Sequence, residues 1–194
     1  MFLFIFLALI CVKMKGYKIV PILKAYALYP YILAEGLYVF LQMNVWLGNY
    51  DYIKYGSLFK NIYLLTLIIP LLLYKLYKPG FISAALIVLG TILNRFVISQ
   101  NGGKMPVFAS LSKITGYYNE SVFGTIDNVH TIGNASTKFK FLTDFIDIGF
   151  SVLSIGDILI HAYPYIVICS VIGVITKSQN LSKTTRRDTL YGDV

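Results

Sequence analysis

The side chains best equipped for chemistry collect late in the chain. Asp147 and Asp157 could work as an aspartyl dyad, sharing one water and one proton, because two neighbouring carboxyls cannot both ionise cheaply. His161 follows Asp157 by four residues, one turn of a helix, so the two could hydrogen-bond and act as an acid–base pair. His130 lies in the segment Asp127-Asn128-Val129-His130, either facing solvent or folded back over a polar cavity. Upstream, Asn94 and Asn101 share one helical face, Arg95 lies beside the first, and Asn101-Gly102-Gly103 then breaks the helix. Such a set could wall a cavity that holds a lipid headgroup, a small solute or a partner segment. Each residue also has a plainer reading: Asp157 as a carboxylate at a helix start, complementing free amides and the positive end of the dipole, and the Gly pair as a simple helix stop.

The elements that must position these residues are apolar. Of 194 residues, 57% are hydrophobic and only 13% charged, and the mean hydropathy is +0.68, which exceeds what a soluble domain of this size carries. Five helical spans can be placed, near 1–12, 22–43, 58–77, 79–98 and 155–176, since a bilayer core of about 30 Å asks for roughly 20 apolar residues each. The first is short and is followed, not preceded, by Lys13, Lys15 and Lys18, which reads as an uncleaved anchor with its N-terminus outside rather than a secretory signal.

Basic residues close to spans are retained on the cytoplasmic side. Lys13, Lys15, Lys18 and Lys24, then Lys75 and Lys78, then Lys177, Lys183, Arg186 and Arg187 all fall on one side if five spans start from an outer N-terminus. That arrangement puts residues 99–154 outside. Residues 1–176 then form one integral membrane domain and 177–194 a basic, disordered cytoplasmic tail.

A charge within a span costs about 2.5–3.5 kcal/mol at mid-bilayer and persists with a partner or a purpose. Glu35 is the clearest instance. With Tyr31, Tyr38 and Gln42 it makes a polar stripe at helical spacing that should face protein, hydrogen-bonded or protonated in the bundle or paired with Arg95. In the outer segment, Gly102, Gly103 and Pro106 predict a re-entrant turn. From Lys138 to Leu153 the apolar positions recur with helical period, predicting an amphipathic helix on the outer leaflet, with Asp147 approaching Asp157 and Asp144 pairing with Lys140 at the surface.

Other chemistries find no foothold. The net charge of +8 punctuates spans instead of forming a basic face with interleaved aromatics, so nucleic acid is not expected as a partner. Cys11 and Cys169 lie in spans as small apolar residues. No CxxC, HExxH or spaced His pair offers a metal site, no cofactor is implied, and Gly149-Phe150-Ser151-Val152-Leu153 lacks the closing glycine of a nucleophile elbow. The 16 tyrosines and 13 phenylalanines fit interfacial belts and helix packing.

The pieces LNRFVISQNGGKMPV, a loop histidine, TDFIDIGF and SIGDILI, in that order, resemble an uncharacterised bacterial family of small polytopic membrane proteins that carries a domain-of-unknown-function label. The resemblance implies a bacterial inner-membrane protein and supplies no activity. More locally, Thr143-Asp144-Phe145-Ile146-Asp147 followed by Ser154-Ile155-Gly156-Asp157 is similar to the end of lipoprotein signal peptidases, which implies a catalytic role for Asp157. The partner aspartate of that family sits in a Gly-Asn-x-x-Asp-Arg piece, whereas Gly90-Thr91-Ile92-Leu93-Asn94-Arg95 has no Asp.

The sequence therefore predicts an all-α polytopic membrane helix bundle with an extracytoplasmic loop. Its expected role is binding, through an outward-facing polar site drawn from Glu35, Asn94, Arg95, Asn101, Gly102, Gly103, His130, Asp147, Asp157 and His161. Membrane lipids and a membrane protein are the expected partners, in the bacterial cytoplasmic membrane. The alternative is an intramembrane aspartyl hydrolase using Asp147 and Asp157.

Overall fold

Long apolar runs without internal glycine clusters become helices, and two of them dominate the computed structural model, which describes residues 2–17, 24–49, 51–52, 55–120 and 129–191. Side chains are described for these except at 56–57, 60 and 183–191. Lys18, Asp127 and Asn128 therefore lie outside the described residues, as do the side chains of Lys183, Arg186 and Arg187. Helix α1 spans Phe2–Met14, α2 Tyr29–Trp46, α3 Gly56–Thr66, α4 Ile68–Leu73, α5 Tyr77–Gln100, α6 Leu111–Ile114 and α7 Ile155–Tyr191. Four short strands interrupt the series: β1 Met105–Val107, β2 His130–Ile132, β3 Ile146–Asp147 and β4 Val152–Leu153.

The structure is mostly helical, with two candidate membrane-spanning helices. Tyr77–Gln100 has mean hydropathy 2.1 and Ile155–Ser182 has 2.2. Both match the fourth and fifth expected spans closely, and α7 continues past the expected membrane end at 176 to Tyr191. The other expected spans do not reach that standard. Helix α1 has 13 residues, about 20 Å at 1.5 Å per residue. The third expected span is broken at Leu67 into α3 and α4. Pro70 supplies the reason, because its ring excludes the amide that would bond the Thr66 carbonyl.

Helix α5 packs along α7, α1 lies against α7, and α2 pairs with α3. Directions follow from named contacts. Phe4 meets His161 with ring centroids 5.4 Å apart, and Cys169 Sγ lies 3.7 Å from the Ala8 carbonyl, so α1 and α7 run parallel. Trp46 at the end of α2 donates from Nε1 to the Thr115 carbonyl at 3.1 Å, which brings that end to the loop that follows α5. Lys13, Lys75, Lys78 and Lys177 thus fall toward the end of the helices away from the loop.

The buried apolar core runs through Ala8, Val12, Leu28, Leu67, Val167, Ile168, Val171 and Ile172. Outward faces are also apolar: α2 exposes Ile32, Leu33, Leu37 and Phe40, and α5 exposes Phe81, Ile82, Val88 and Ile92. Polar Glu35, Ser83 and His161 point inward. This inverts the usual distribution of a water-soluble helix pair.

The loop is not helical where the periodicity predicts an amphipathic helix. Residues 138–153 instead form a 3-10 turn at Lys140–Leu142 and the antiparallel pair β3–β4, registered Ile146↔Leu153 and Asp147↔Val152. Side-chain bonds to the backbone compete with a helix here: Asp147 Oδ1 accepts from the Gly149 amide at 2.8 Å, and Gly149 adopts φ 87°. Strand β1 pairs in parallel with β2 through Met105↔His130 and Val107↔Ile132. On its other side Asp144 donates its amide to the Pro106 carbonyl at 3.1 Å and accepts from the Phe108 amide at 2.8 Å.

Candidate functional site

Helices α5 and α7 are stapled at the loop-side end. Ser154 precedes α7 and its Oγ accepts from the Asp157 amide at 2.9 Å, while Asp157 Oδ2 accepts from the Ser154 amide at 3.3 Å. This reciprocal pattern is a capping box, two orphan amides satisfied by two side chains three residues apart. Asn94 closes the ring from α5: its Nδ2 donates to Asp157 Oδ1 at 3.2 Å, and its Oδ1 accepts from Ser154 Oγ at 2.9 Å. The staple needs glycine on both helices. A Cβ on Gly156 would overlap the Asn94 side chain and the Gly90 carbonyl, and one on Gly90 would overlap the Gly156 carbonyl.

One turn further into α7, His161 is buried, and its Nδ1 lies 3.0 Å from Tyr63 Oη on α3. Tyr63 in turn stands between Tyr31 and Tyr38 of α2, with ring centroids 6.0 and 6.2 Å away. It is within electrostatic range of Tyr31, Glu35, Tyr38 and Asp157. A polar seam therefore crosses the bundle from Asn94 and Asp157 to Glu35. Glu35 is 4% exposed and Tyr31 1%, and among the described residues neither carboxylate oxygen of Glu35 nor the Tyr31 hydroxyl has a hydrogen-bond partner. The expected pairing of Glu35 with Arg95 is not formed, because Arg95 is exposed on α5.

The remaining expected site residues fall into separate clusters. Asp147 organises the loop: Oδ2 accepts from the amides of Ser110 at 2.7 Å and Ser112 at 2.8 Å, and Oδ1 from Ser112 Oγ at 2.5 Å as well as the Gly149 amide. Partial burial raises its carboxyl pKa, but the bonds from Ser112, Gly149 and Ser110 outweigh that and hold it below the ordinary value. Asp157 is bonded to Asn94 and Ser154 instead, so the two carboxylates have separate sets of partners. His130 Nε2 lies 3.6 Å from Asp144 Oδ2. Asp144 is buried at 4% exposure, not a surface partner of Lys140, since its backbone extends the β1 edge.

Asn101 ties the end of α5 to the loop. Its Nδ2 donates to the carbonyls of Val97 at 2.9 Å and Lys138 at 3.1 Å, and its Oδ1 accepts from the Lys138 amide at 2.9 Å. Gly102 and Gly103 follow at φ 69° and 81°, and the Gly103 amide returns to the Ile98 carbonyl at 3.0 Å, a glycine-dependent helix ending. The chain then enters β1.

Asn94, Asp157 and His161 are thus brought together with Glu35 along one seam, while Asn101, His130 and Asp147 serve the loop. Three participants escape a reading of the sequence. Ser154 is signalled by Ser-x-x-Asp before an apolar run. Tyr63 and Ser112 carry no local signal, because their partners lie 98 and 35 residues away. Among the described residues no group of three His, Cys, Asp or Glu could hold a metal ion.

Comparison with known proteins adds a family and no activity. No curated protein matches the chain, and no solved structure matches it. A family model described as a family of unknown function (DUF5317) matches residues 19–169, from just before α2 to the middle of α7, and so takes in the stapled helix pair, the loop and the polar seam. The chain belongs to this family of unknown function, DUF5317.

Proposed function

We propose that the chain is a multi-pass integral protein of a bacterial cytoplasmic membrane that binds the polar part of a small ligand, a lipid headgroup or a small solute. The site lies in the seam between α2, α3 and α7. One observation carries this reading: Glu35 and Tyr31 are buried with polar atoms that no described residue satisfies. A buried polar group left unmade costs about 1–3 kcal/mol, more for a charge, so an unmet pair in an otherwise satisfied seam marks a place where a ligand contributes the missing bonds. The apolar outer faces of α2 and α5 support a lipid environment. Lys13, Lys75, Lys78 and Lys177, close to helix ends opposite the loop, support a cytoplasmic position for that end and an outer N-terminus, with Lys104, Lys113, Lys138 and Lys140 on the loop side.

Native mass spectrometry of protein released gently from membranes tests the reading, comparing wild type with Glu35→Gln and Asp157→Asn. A defined adduct on the wild type that Glu35→Gln loses is the expected result. The absence of any adduct on any form, with the protein folded, would remove the proposal.

A further inference from the structure

We propose that the loop-side end of α5 carries a lipid-binding surface separate from the seam, on which Phe96, Phe139 and Phe141 meet the acyl chains of an anionic phospholipid while Arg95, Lys138 and Lys140 hold its phosphate. The depth of this surface follows from one ring contact. Phe139 precedes the 3-10 turn Lys140–Leu142, and its ring meets that of Phe96 edge-on, with centroids 4.9 Å apart. Phe96 stands four residues before the end of α5 at Gln100, about 6 Å back along the axis at 1.5 Å per residue. A loop ring held at that level lies beside a candidate membrane span, not above it. The chain is fixed there from both sides of the ring: Asn101 bonds both backbone groups of Lys138, and Phe139 takes φ 52°, a left-handed conformation that bulky residues rarely adopt. Phe96, Phe139 and Phe141 all remain exposed.

The charges around these rings are of one sign. Ile92, Arg95, Phe96 and Ser99 are exposed at positions that share one face of α5, and Lys138 and Lys140 bracket Phe139 and are exposed as well. None of the three cations forms an ion pair among the described residues. The carboxylates of the adjoining elements are engaged elsewhere: Asp144 is buried beside His130, Asp147 accepts from Ser110, Ser112 and Gly149, and Asp157 is bonded to Asn94 and Ser154. Exposed rings with long cationic side chains that reach past them match the border between hydrocarbon and headgroups. The complement of such a surface is an apolar chain joined to a negative headgroup. A zwitterionic headgroup fits less well, because it brings its own cation beside Arg95 and the lysines.

A reporter at the contact tests this locally. Phe139→Trp keeps a ring against Phe96, and the wild type, with Trp46 as its single tryptophan, supplies the blank. The full chain is placed in bilayers of equal phosphatidylglycerol and phosphatidylcholine, one or the other brominated on its acyl chains. Brominated phosphatidylglycerol should quench the added emission more than brominated phosphatidylcholine, by an amount equivalent to at least about tenfold local enrichment, since each Lys or Arg at an anionic surface contributes about fivefold. Arg95→Gln, Lys138→Gln and Lys140→Gln together should bring the two lipids to equality. Lys75→Gln, Lys78→Gln and Lys177→Gln, the same loss of charge at the other end of the helices, should leave the difference in place. Equal quenching by both lipids, or a difference abolished as readily by the changes at Lys75, Lys78 and Lys177, overturns the inference. So does quenching by neither, which would put the ring clear of the bilayer and leave the surface to a protein partner. Should Phe139→Trp fail to fold, native mass spectrometry of wild type and the Arg95, Lys138 and Lys140 variant, released from unbrominated bilayers of the same mixture, decides: phosphatidylglycerol retained at least about tenfold over phosphatidylcholine with the three cations present, and equally without them, supports the surface, and any other pattern overturns it. The adduct tested with Glu35→Gln is read independently, so the two proposals stand or fall apart.

Discussion

Replacing Asp147 by Asn should release the loop while leaving the helices in place. The carboxylate accepts four hydrogen bonds, from the amides of Ser110, Ser112 and Gly149 and from Ser112 Oγ. An amide keeps one acceptor oxygen, so two of those donors would face an NH2 group that cannot receive them. Bonds to a charged acceptor contribute about 1.5–3 kcal/mol each. With water replacing part of the loss at the more exposed Ser110 side, a local destabilisation of about 2–4 kcal/mol follows, equivalent to roughly 30- to 1,000-fold faster opening. Hydrogen exchange in detergent micelles reads this directly at the amides of Ser112 and Gly149, with amides in the middle of α5 as the unaffected reference. The pH dependence has a definite sign. Because the folded carboxyl sits below its ordinary value of 3.8, its contribution is complete above that value and disappears as the pH falls through the lower folded value. Wild type should therefore converge on the variant only in strong acid. Unchanged exchange at Ser112 and Gly149 in Asp147→Asn at neutral pH would refute the assignment of Asp147 as the loop's organising group.

Gly156→Ala should cost about 1–3 kcal/mol or more through overpacking, since the overlapping atoms belong to Asn94 and the backbone of Gly90; Gly36→Ala, with nothing within 4 Å, should be neutral or slightly stabilising, and thermal unfolding in detergent compares them. Tyr63→Phe should cost about 1–3 kcal/mol by leaving His161 Nδ1 without its hydroxyl partner, and should move the imidazole nitrogen resonances of His161, which an intact bond to another group would leave in place. Asn101→Ala removes the bonds to Val97 and both backbone groups of Lys138; exchange at the Lys138 amide should rise by at least about tenfold, with no rise if that contact is incidental.

Helix α5 and the start of α7 were legible because apolar length and a Gly-Gly stop act locally: the expected spans 79–98 and 155–176 differ from Tyr77 and Ile155 by at most two residues at their starts. The break of the third span at Leu67 had its signal in Pro70, which a hydropathy window averages away. The misread helix at 138–153 has a different cause. Its apolar spacing suits a helix, but Asp147 finds its partners in Ser110 and Ser112, a tertiary contact that periodicity does not contain. The same holds for the candidate site. Glu35 and its tyrosine stripe stand out on α2 alone, and Asp157 with His161 on α7 alone, yet the bridge between them is Tyr63, which nothing in its own neighbourhood distinguishes from the other tyrosines of the chain.

The ring of Asn94, Ser154 and Asp157 also constrains how the protein is made. Asn94 leaves the ribosome 60 residues before Ser154, roughly 3–12 s at ordinary rates of synthesis. During that interval α5 carries an unanswered amide and, at Gly90, a notch with no opposing backbone. The pair of glycines that makes the crossing close is therefore also a waiting place, which stays incomplete until the residues that answer it are synthesised.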